Sequence, residues 1–497
     1  MKTTRLLLII CLFANTLSIA AQENPEKPEK IEKGWEFIDA QEFREAVSLM
    51  NDYMKQDSVN AEAYHLRGNA YFDLELYDSA LIDYLNAIRV DSLYSSAYYN
   101  VANTLEIQED YAKAESYFEQ YMAMAPGDAD GYLRLAIIKS YLSKPTKDLL
   151  VKTLELDSQN ITALYYLSME YLREADYEAS IELAEKGKVW YPQQPAFAQV
   201  SGLNHYEMGE YQKAAKDFDF VLSLDPVDFS ALDMKVRIEL LLKTPKELYT
   251  KEKDEIRFVP ANGNTLLDWV NRQDVQESQY DFEQIKSLMM AGESLSIDQY
   301  LYFYVKQKDQ PDYGPYYSGV RKTLSDQYNK EEYEKMAEMA PTLYDESPVN
   351  IDALYKVSIA FYELKQIEDL HRYYKTYLGL VQSILTLGDG LSAEEALMVM
   401  STSDEYSILG YLGEQNLMQS LIHDNGHSYD ALTVKKGDEE DESDEDVSYY
   451  FNIDLPFNSL SKSFDSGPKE RSKKEKRKEK KKKRKDKRKK STDESNG

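Results

Sequence analysis

From residue 61 onward the apolar positions recur with the spacing of paired amphipathic helices. In AEAYHLRGNAYFDLELYDSALIDYLNAIRVDSLY (residues 61–94), Tyr64, Gly68 and Tyr71 fall on one face of a first helix. Tyr77, Ala80, Tyr84 and Ala87 fall on one face of a second. Small residues at Gly68, Ala80 and Ala87 allow the two helices to approach closely.

The pattern repeats along the chain. A degenerate first copy keeps its register through Gly34, Phe37, Phe43 and Ala46 and ends near residue 60. Further copies span 95–128, 129–160, 161–194 and 195–228. The copy at 129–160 is two residues short around 143–145, which alters its inter-helix turn. A last amphipathic helix, about 230–243, is expected to cap the open end. Asp-Ser or Asp-Pro recurs near the end of four of the six copies, where Asp caps a turn and Pro stops the preceding helix. No single copy can bury its own apolar face, so stacking builds the core.

The pattern resembles the tetratricopeptide repeat (TPR). That resemblance implies an α-solenoid, a right-handed superhelix whose concave groove is lined by the first helix of each pair. Placed on the repeat, His65, Asn69, Phe72, Tyr99, Asn103, Leu133, Tyr165 and Tyr206 line the groove. Amides there can bond a peptide backbone and rings can bury its side chains. Some members clamp a partner's C-terminal carboxylate with paired Lys and Asn. Asn69 and Asn100 match two of those positions, but His65 and Leu133 stand where cations are expected, so the clamp is incomplete.

Beyond a linker at 244–265, with Pro245, Pro260 and Gly263, the period is lost. Helices of unequal length are expected at 281–290, 298–306, 331–340, 351–364, 367–385 and 393–400. A Pro/Gly/Tyr loop, QPDYGPYYSG (310–319), lies between them. Residues 429–434 and 447–453 read as a β-hairpin around a charged loop. Residues 280–464 resemble the domain of unknown function 4919 family of exported bacterial proteins. The resemblance rests on YDFEQIK, PDYGPYYSG, DEYSILGYLG followed by QSL, GHSYDAL and YYFNIDLPFNSLSKSF. The family brings no known activity, and its fusion to a repeat array points to partner capture. The expected fold class is mainly α: a TPR solenoid (31–243), then a mostly helical α+β domain (266–465) ending in a β-hairpin, then a disordered basic tail (466–497).

The two ends change the picture. MKTTRLLLIICLFANTLSIAAQ has a basic start, an apolar run and a small-residue end, as a secretory signal peptide does, with cleavage expected after Ala21. Asn15 and Thr16 break the run short of a span. Cys11 is the only cysteine; Ile9 and Ile10 before it do not suit a lipoprotein, and the mature chain is left without disulfide or thiolate metal site. Residues 22–30 read as a flexible lead-in. The chain's net charge of −29 is unevenly spread, because residues 469–497 carry 17 Lys/Arg against 6 Asp/Glu. That tail has no apolar residue and is expected to be disordered alone. In an exported protein its partner would be anionic lipid, acidic polysaccharide or, without sequence preference, nucleic acid.

Candidate chemistry is sparse. HDNGH (423–427) offers His423 and His427, with Asp424 and Asp430 nearby, as weak metal ligands. A zinc site needs three or four converging groups, and the internal Asn-Gly says turn. The run GDEEDESDED (437–446) has eight carboxylates but not the alternation of a calcium loop, and reads as a solvated loop. No P-loop, nucleophile elbow, dinucleotide fingerprint or zinc-protease helix occurs. The expected function is a non-enzymatic exported scaffold of the periplasm or envelope, without cofactor. It holds a protein or peptide in the repeat groove. The alternative is an enzyme in the second half, a metal-dependent hydrolase, with HDNGH and the Tyr-rich loop in one pocket.

Overall fold

The computed structural model describes residues 29–252, 255–259, 280–307, 319–434, 447–454 and 456. The expected signal peptide, residues 260–279 at and beyond the linker, most of the 310–319 loop, the acidic run and the basic tail lie outside them. The chain divides into two compact units between Pro192 and Gln193.

The first unit is a series of helix pairs: α1 (Glu29–Asp39) with α2 (Phe43–Met54), α3 (Ala61–Asp73) with α4 (Tyr77–Val90), and α5 (Ser95–Ile107) with α6 (Tyr111–Met124). α7 (Ala129–Tyr141) with α8 (Lys147–Leu156) and α9 (Ile161–Arg173) with α10 (Tyr177–Trp190) complete it. Each pair turns on a residue in the left-handed region: Gln41, Glu75, Glu109, Ser143 and Ala175. The first four are 34 residues apart. The shortfall in the fourth copy is taken up by α8, which begins only after Pro145 and is 10 residues long where α4 has 14. Asp57, Asp91 and Asp157 each accept a hydrogen bond from the backbone N–H two residues on, closing the turn between copies. Asn60 and Asn160 then cap the next helix by accepting from Ala63 and Ala163. Gly68 is required by close approach: a Cβ there would stand 2.6 Å from the Tyr84 ring.

The second unit begins with the sixth copy, α11 (Pro195–Glu207) and α12 (Tyr211–Leu224), followed by α13 (Phe229–Lys243). The expected linker holds a short hairpin, β1 (Tyr249–Glu252) with β2 (Glu255–Phe258). Next come α14 (Phe282–Met290), α15 (Ile297–Lys306), α16 (Gly319–Tyr328), α17 (Tyr333–Glu346), α18 (Ile351–Glu363), α19 (Ile367–Leu385) and α20 (Thr402–Tyr411). The sheet runs in the order β3 (Leu397–Met398), β6 (Val447–Asn452), β5 (His427–Val434), β4 (Asn416–Asp424), with β3–β6 parallel and the rest antiparallel.

Several expectations are corrected here. The period is not lost after the linker: Glu331 and Lys365 are again left-handed and 34 residues apart, so α16/α17 and α18/α19 are two further hairpins of the same design. Asn350 caps α18 from Ala353 as Asn60 caps α3. The helix expected to stop at residue 340 runs through Pro341 to Glu346, because Leu343 and Tyr344 are buried in the core. Residues 393–400 are not a helix; Leu397 and Met398 pair with Phe451 and Asn452. The hairpin of β5 and β6 is present, and a strand missed in the sequence, β4, extends it.

The helix at 229–243 does not end an open stack. Its Arg237 and Asp233 form an ion pair at 3.3 Å, and Asp233 accepts from Tyr411 Oη at 2.8 Å and from Gln382 Nε2 at 3.1 Å. Glu239 accepts from Ser294 and pairs with Lys375 at 3.0 Å. The sixth copy and α13 therefore fold as one body with the helices that follow.

Candidate functional site

The predicted groove residues of the first unit separate into two groups. His65, Asn69 and Asn100 bond one another. Asn100 Nδ2 donates to His65 Nε2 and to Asn69 Oδ1, both at 2.9 Å. Tyr84 Oη donates to Asn69 Oδ1 at 2.9 Å. With Nε2 accepting, the His65 proton belongs on Nδ1, which faces Tyr94 Oη at 3.2 Å. Rings of Trp35, Tyr84 and Tyr94 surround the imidazole, and burial lowers its pKa to about 4. The cluster is a neutral relay linking successive repeats, not a set of free groove donors.

Leu133 and Tyr206 are also corrected: both are buried. Leu133 packs with Ala136, Leu150, Ala163 and Leu167. Tyr206 lies in the second unit beneath Lys251, whose ammonium is 4.5 Å from the ring centre.

Phe72, Tyr99, Asn103 and Tyr165 remain partly exposed on α3, α5 and α9. Tyr99 donates to Asp130 and packs edge-on against Phe118 and Tyr121. Tyr165 meets the exposed Tyr166 ring at 5.6 Å. Asn103 Oδ1 is buried and accepts no hydrogen bond.

HDNGH forms the tight turn between β4 and β5, as the Asn-Gly predicts, with Asn425 and Gly426 both left-handed. Opposite register partners share a face: His423 opposes Ser428, and His427 opposes Asp424. Pleating thus sends His423 and His427 to opposite faces of the sheet. His423 Nδ1 bonds Ser428 Oγ at 3.1 Å, and His427 Nδ1 bonds Asp454 Oδ2 at 2.5 Å. Asp430 instead accepts from Gln419 at 2.8 Å. Among the described residues no three His, Cys, Asp or Glu side chains converge as metal ligands.

The second unit holds a cleft of about 670 Å³ that single residues did not advertise. α16 and α18 contribute Ser325, Asp352, Tyr355 and Lys356; α19 contributes Tyr374 and Tyr377. The opposite wall is α20, with Ser403, Tyr406, Ser407, Gly410 and Tyr411. All of those α20 residues except Ser403 belong to DEYSILGYLG, so the family segment was the available signal. Lys356 Nζ is held by Asp352 at 2.8 Å and Ser325 at 3.0 Å. Tyr377 packs against Tyr355 and Tyr374 with ring centres 5.4 and 5.5 Å apart.

Behind α20 lies a buried acidic group. Asp404 accepts from Tyr304 Oη at 2.6 Å, and that oxygen accepts from Met400 N–H at 2.8 Å. Glu405 is fully buried with its carboxyl set against that of Asp430. Burial, then the charges of Asp430 and Asp404, push its carboxyl up to about 9, so it is protonated at neutral pH.

Comparison with known proteins follows the division of the chain. Residues 31–90 and 67–129 match the tetratricopeptide repeat, and residues 273–462 match the domain of unknown function (DUF4919). Tetratricopeptide repeat protein 28 of Homo sapiens is 23% identical over 178 residues, 33% of this chain; the chain spans only 7% of that relative's length. Among solved structures, YrrB, titled a TPR protein with an unusual peptide-binding site, is 20% identical with a TM-score of 0.36. The match covers 37% of this chain and 97% of YrrB. Pseudomonas aeruginosa pilF is 15% identical with a TM-score of 0.37, over 42% of this chain and 96% of pilF. The chain carries tetratricopeptide repeats in its N-terminal region and a DUF4919 domain in its C-terminal region.

Proposed function

We propose that this protein is a non-enzymatic, exported adaptor of the bacterial envelope whose repeats hold a protein or peptide partner. The tetratricopeptide fold suggests a protein-interaction scaffold. Asn103 carries the finer reading. Its side-chain oxygen is buried and unbonded on α5, three residues from the Asn100 relay and beside the partly exposed Tyr99. A buried acceptor without a donor costs about 1–3 kcal/mol, and a partner's backbone N–H would satisfy it once the amide of Asn103 turns outward from its enclosed position. Phe72, Tyr99 and Tyr165 on neighbouring first helices supply rings for that partner's side chains.

The test is affinity capture from the native host with the full-length chain, compared with Asn103→Ala and the double variant Tyr99→Ala/Tyr165→Ala. A specific partner should be recovered by the parent chain and lost from both variants. Recovery undiminished in both would defeat the reading.

The remaining parts of the proposal concern the chain ends. The leader directs export, and the basic tail adds a salt-dependent contact with an anionic surface. Deleting residues 469–497 should abolish retention on phosphatidylglycerol vesicles at low salt while leaving the melting temperature unchanged. Retention by the truncated chain would remove the tail from the proposal.

A further inference from the structure

We propose that the tyrosine-lined cleft of the second unit binds a neutral oligosaccharide. Three features of the lining converge on that class. The first is charge. Among the described residues lining the cleft the charged side chains are Lys356 and Asp352, which pair with each other at 2.8 Å. A charged ligand would lose water without gaining an unspent counter-charge.

The second is aromatic surface. Tyr355 and Tyr406 stand 40% and 47% exposed, and the Tyr355, Tyr377 and Tyr374 rings form a continuous wall. Ring faces of this kind cover the apolar C–H face of a pyranose while leaving its rim to polar contacts.

The third is the kind of polar atom. The hydroxyls of Tyr355, Tyr374 and Tyr377 in the cleft can each both donate and accept, while those of Tyr406, Tyr411, Ser325 and Ser407 already bond protein groups. Among the described residues no protein group bonds the hydroxyls of Tyr355, Tyr374 or Tyr377. Burial raises the phenol pKa of all three, so they remain protonated donors. A polyhydroxylated ligand uses both roles of each group. Strand edges and side-chain amides that read a peptide backbone are absent from the described lining residues, and proline-rich peptides, which also dock in aromatic-lined grooves, are separated by the tetrapeptide control below. A volume of about 670 Å³ lies within the range of small-ligand sites.

Gly410 makes the idea testable. A Cβ at Gly410, which lines the cleft, would meet no atom within 4 Å. Gly410→Trp therefore starts from a Cβ with free space and adds an indole at the lining of the cleft. Tyr355→Ala removes a half-exposed ring from the other side.

The experiment is titration calorimetry on the full-length protein with maltotetraose, cellotetraose, mannotetraose and chitotetraose, alongside an uncharged Tyr/Pro tetrapeptide. At least one saccharide should bind with a Kd of about 1 mM or tighter. Gly410→Trp and Tyr355→Ala should each weaken it on the order of tenfold, with circular dichroism and melting temperature retained. No saccharide binding, binding that survives both substitutions, or binding of the tetrapeptide alone would overturn the proposal.

Discussion

The side-chain amide of Asn100 reaches back one full repeat to donate to His65 Nε2 at 2.9 Å, joining residues 35 positions apart. The same amide reaches Asn69, so one side chain fixes the angle between two neighbouring hairpins. Asn100→Ala should cost about 1–3 kcal/mol by leaving the buried His65 Nε2 without a donor, Asn69 Oδ1 keeping the bond from Tyr84. Denaturant unfolding followed by hydrogen exchange in α3 and α5 would measure it; a loss below a few tenths of a kcal/mol would mean the relay is incidental.

His65 also gives the first unit a pH dependence. Its folded pKa, held near 4 by burial, lies below the ordinary 6.5, so the unfolded chain binds the extra proton between those values. The stabilisation is complete above pH 6.5 and is lost as pH falls toward 4. The loss should reach roughly 3 kcal/mol. His65→Gln, read by exchange in α3 across this pH range, should flatten the dependence.

Arg67 grips Asp83 through two bonds, Nε to Oδ2 at 2.7 Å and Nη2 to Oδ1 at 2.6 Å, and also donates to Asn51 at 2.6 Å. Asp83 is buried, and desolvation raises its carboxyl more than Arg67 lowers it. Arg67→Met should therefore cost about 3–5 kcal/mol at neutral pH by stranding that charge. Adding Asp83→Leu should recover most of the loss. A double variant no better than the single one would contradict this account.

Glu405 predicts the opposite slope for the second unit. Its folded pKa is raised, so the folded state holds the extra proton between the ordinary carboxylate value and about 9. Stability of α20 and β5 should be greatest at mildly acidic pH and fall as pH rises toward 9. Glu405→Gln, which keeps the shape and cannot ionise, should remove the fall. Exchange rates in residues 402–411 and 427–434 between pH 6 and 9 would decide it.

Much of the architecture was legible because its signals are local. Gly68 against Tyr84, the Asp57 turn and the Asn60 cap all act within one repeat, and the same short patterns recur. The failures lie where distant chain segments decide. The apolar run Leu397–Met400 reads locally as part of a helix; Leu397 and Met398 become a strand because residues 451 and 452 pair with them. The α16 to α19 hairpins were missed because their tyrosine-rich faces lack the usual small residues, Tyr377 standing where α4 has Ala87. At the candidate sites, residue type and spacing placed His65, Leu133 and Tyr206 on a surface. Packing buried all three, and spacing alone does not report which polar residues satisfy each other.

The bonds from α13 bear on any attempt to study the second half by itself. A fragment begun after residue 243 would lack Asp233, Arg237 and Glu239, leaving Gln382, Tyr411, Ser294 and Lys375 short of contacts they use. It would also bare the apolar surface that Ile238, Leu240 and Leu241 cover. The compact unit that keeps these contacts starts at residue 193, well before residue 273 where the family similarity begins.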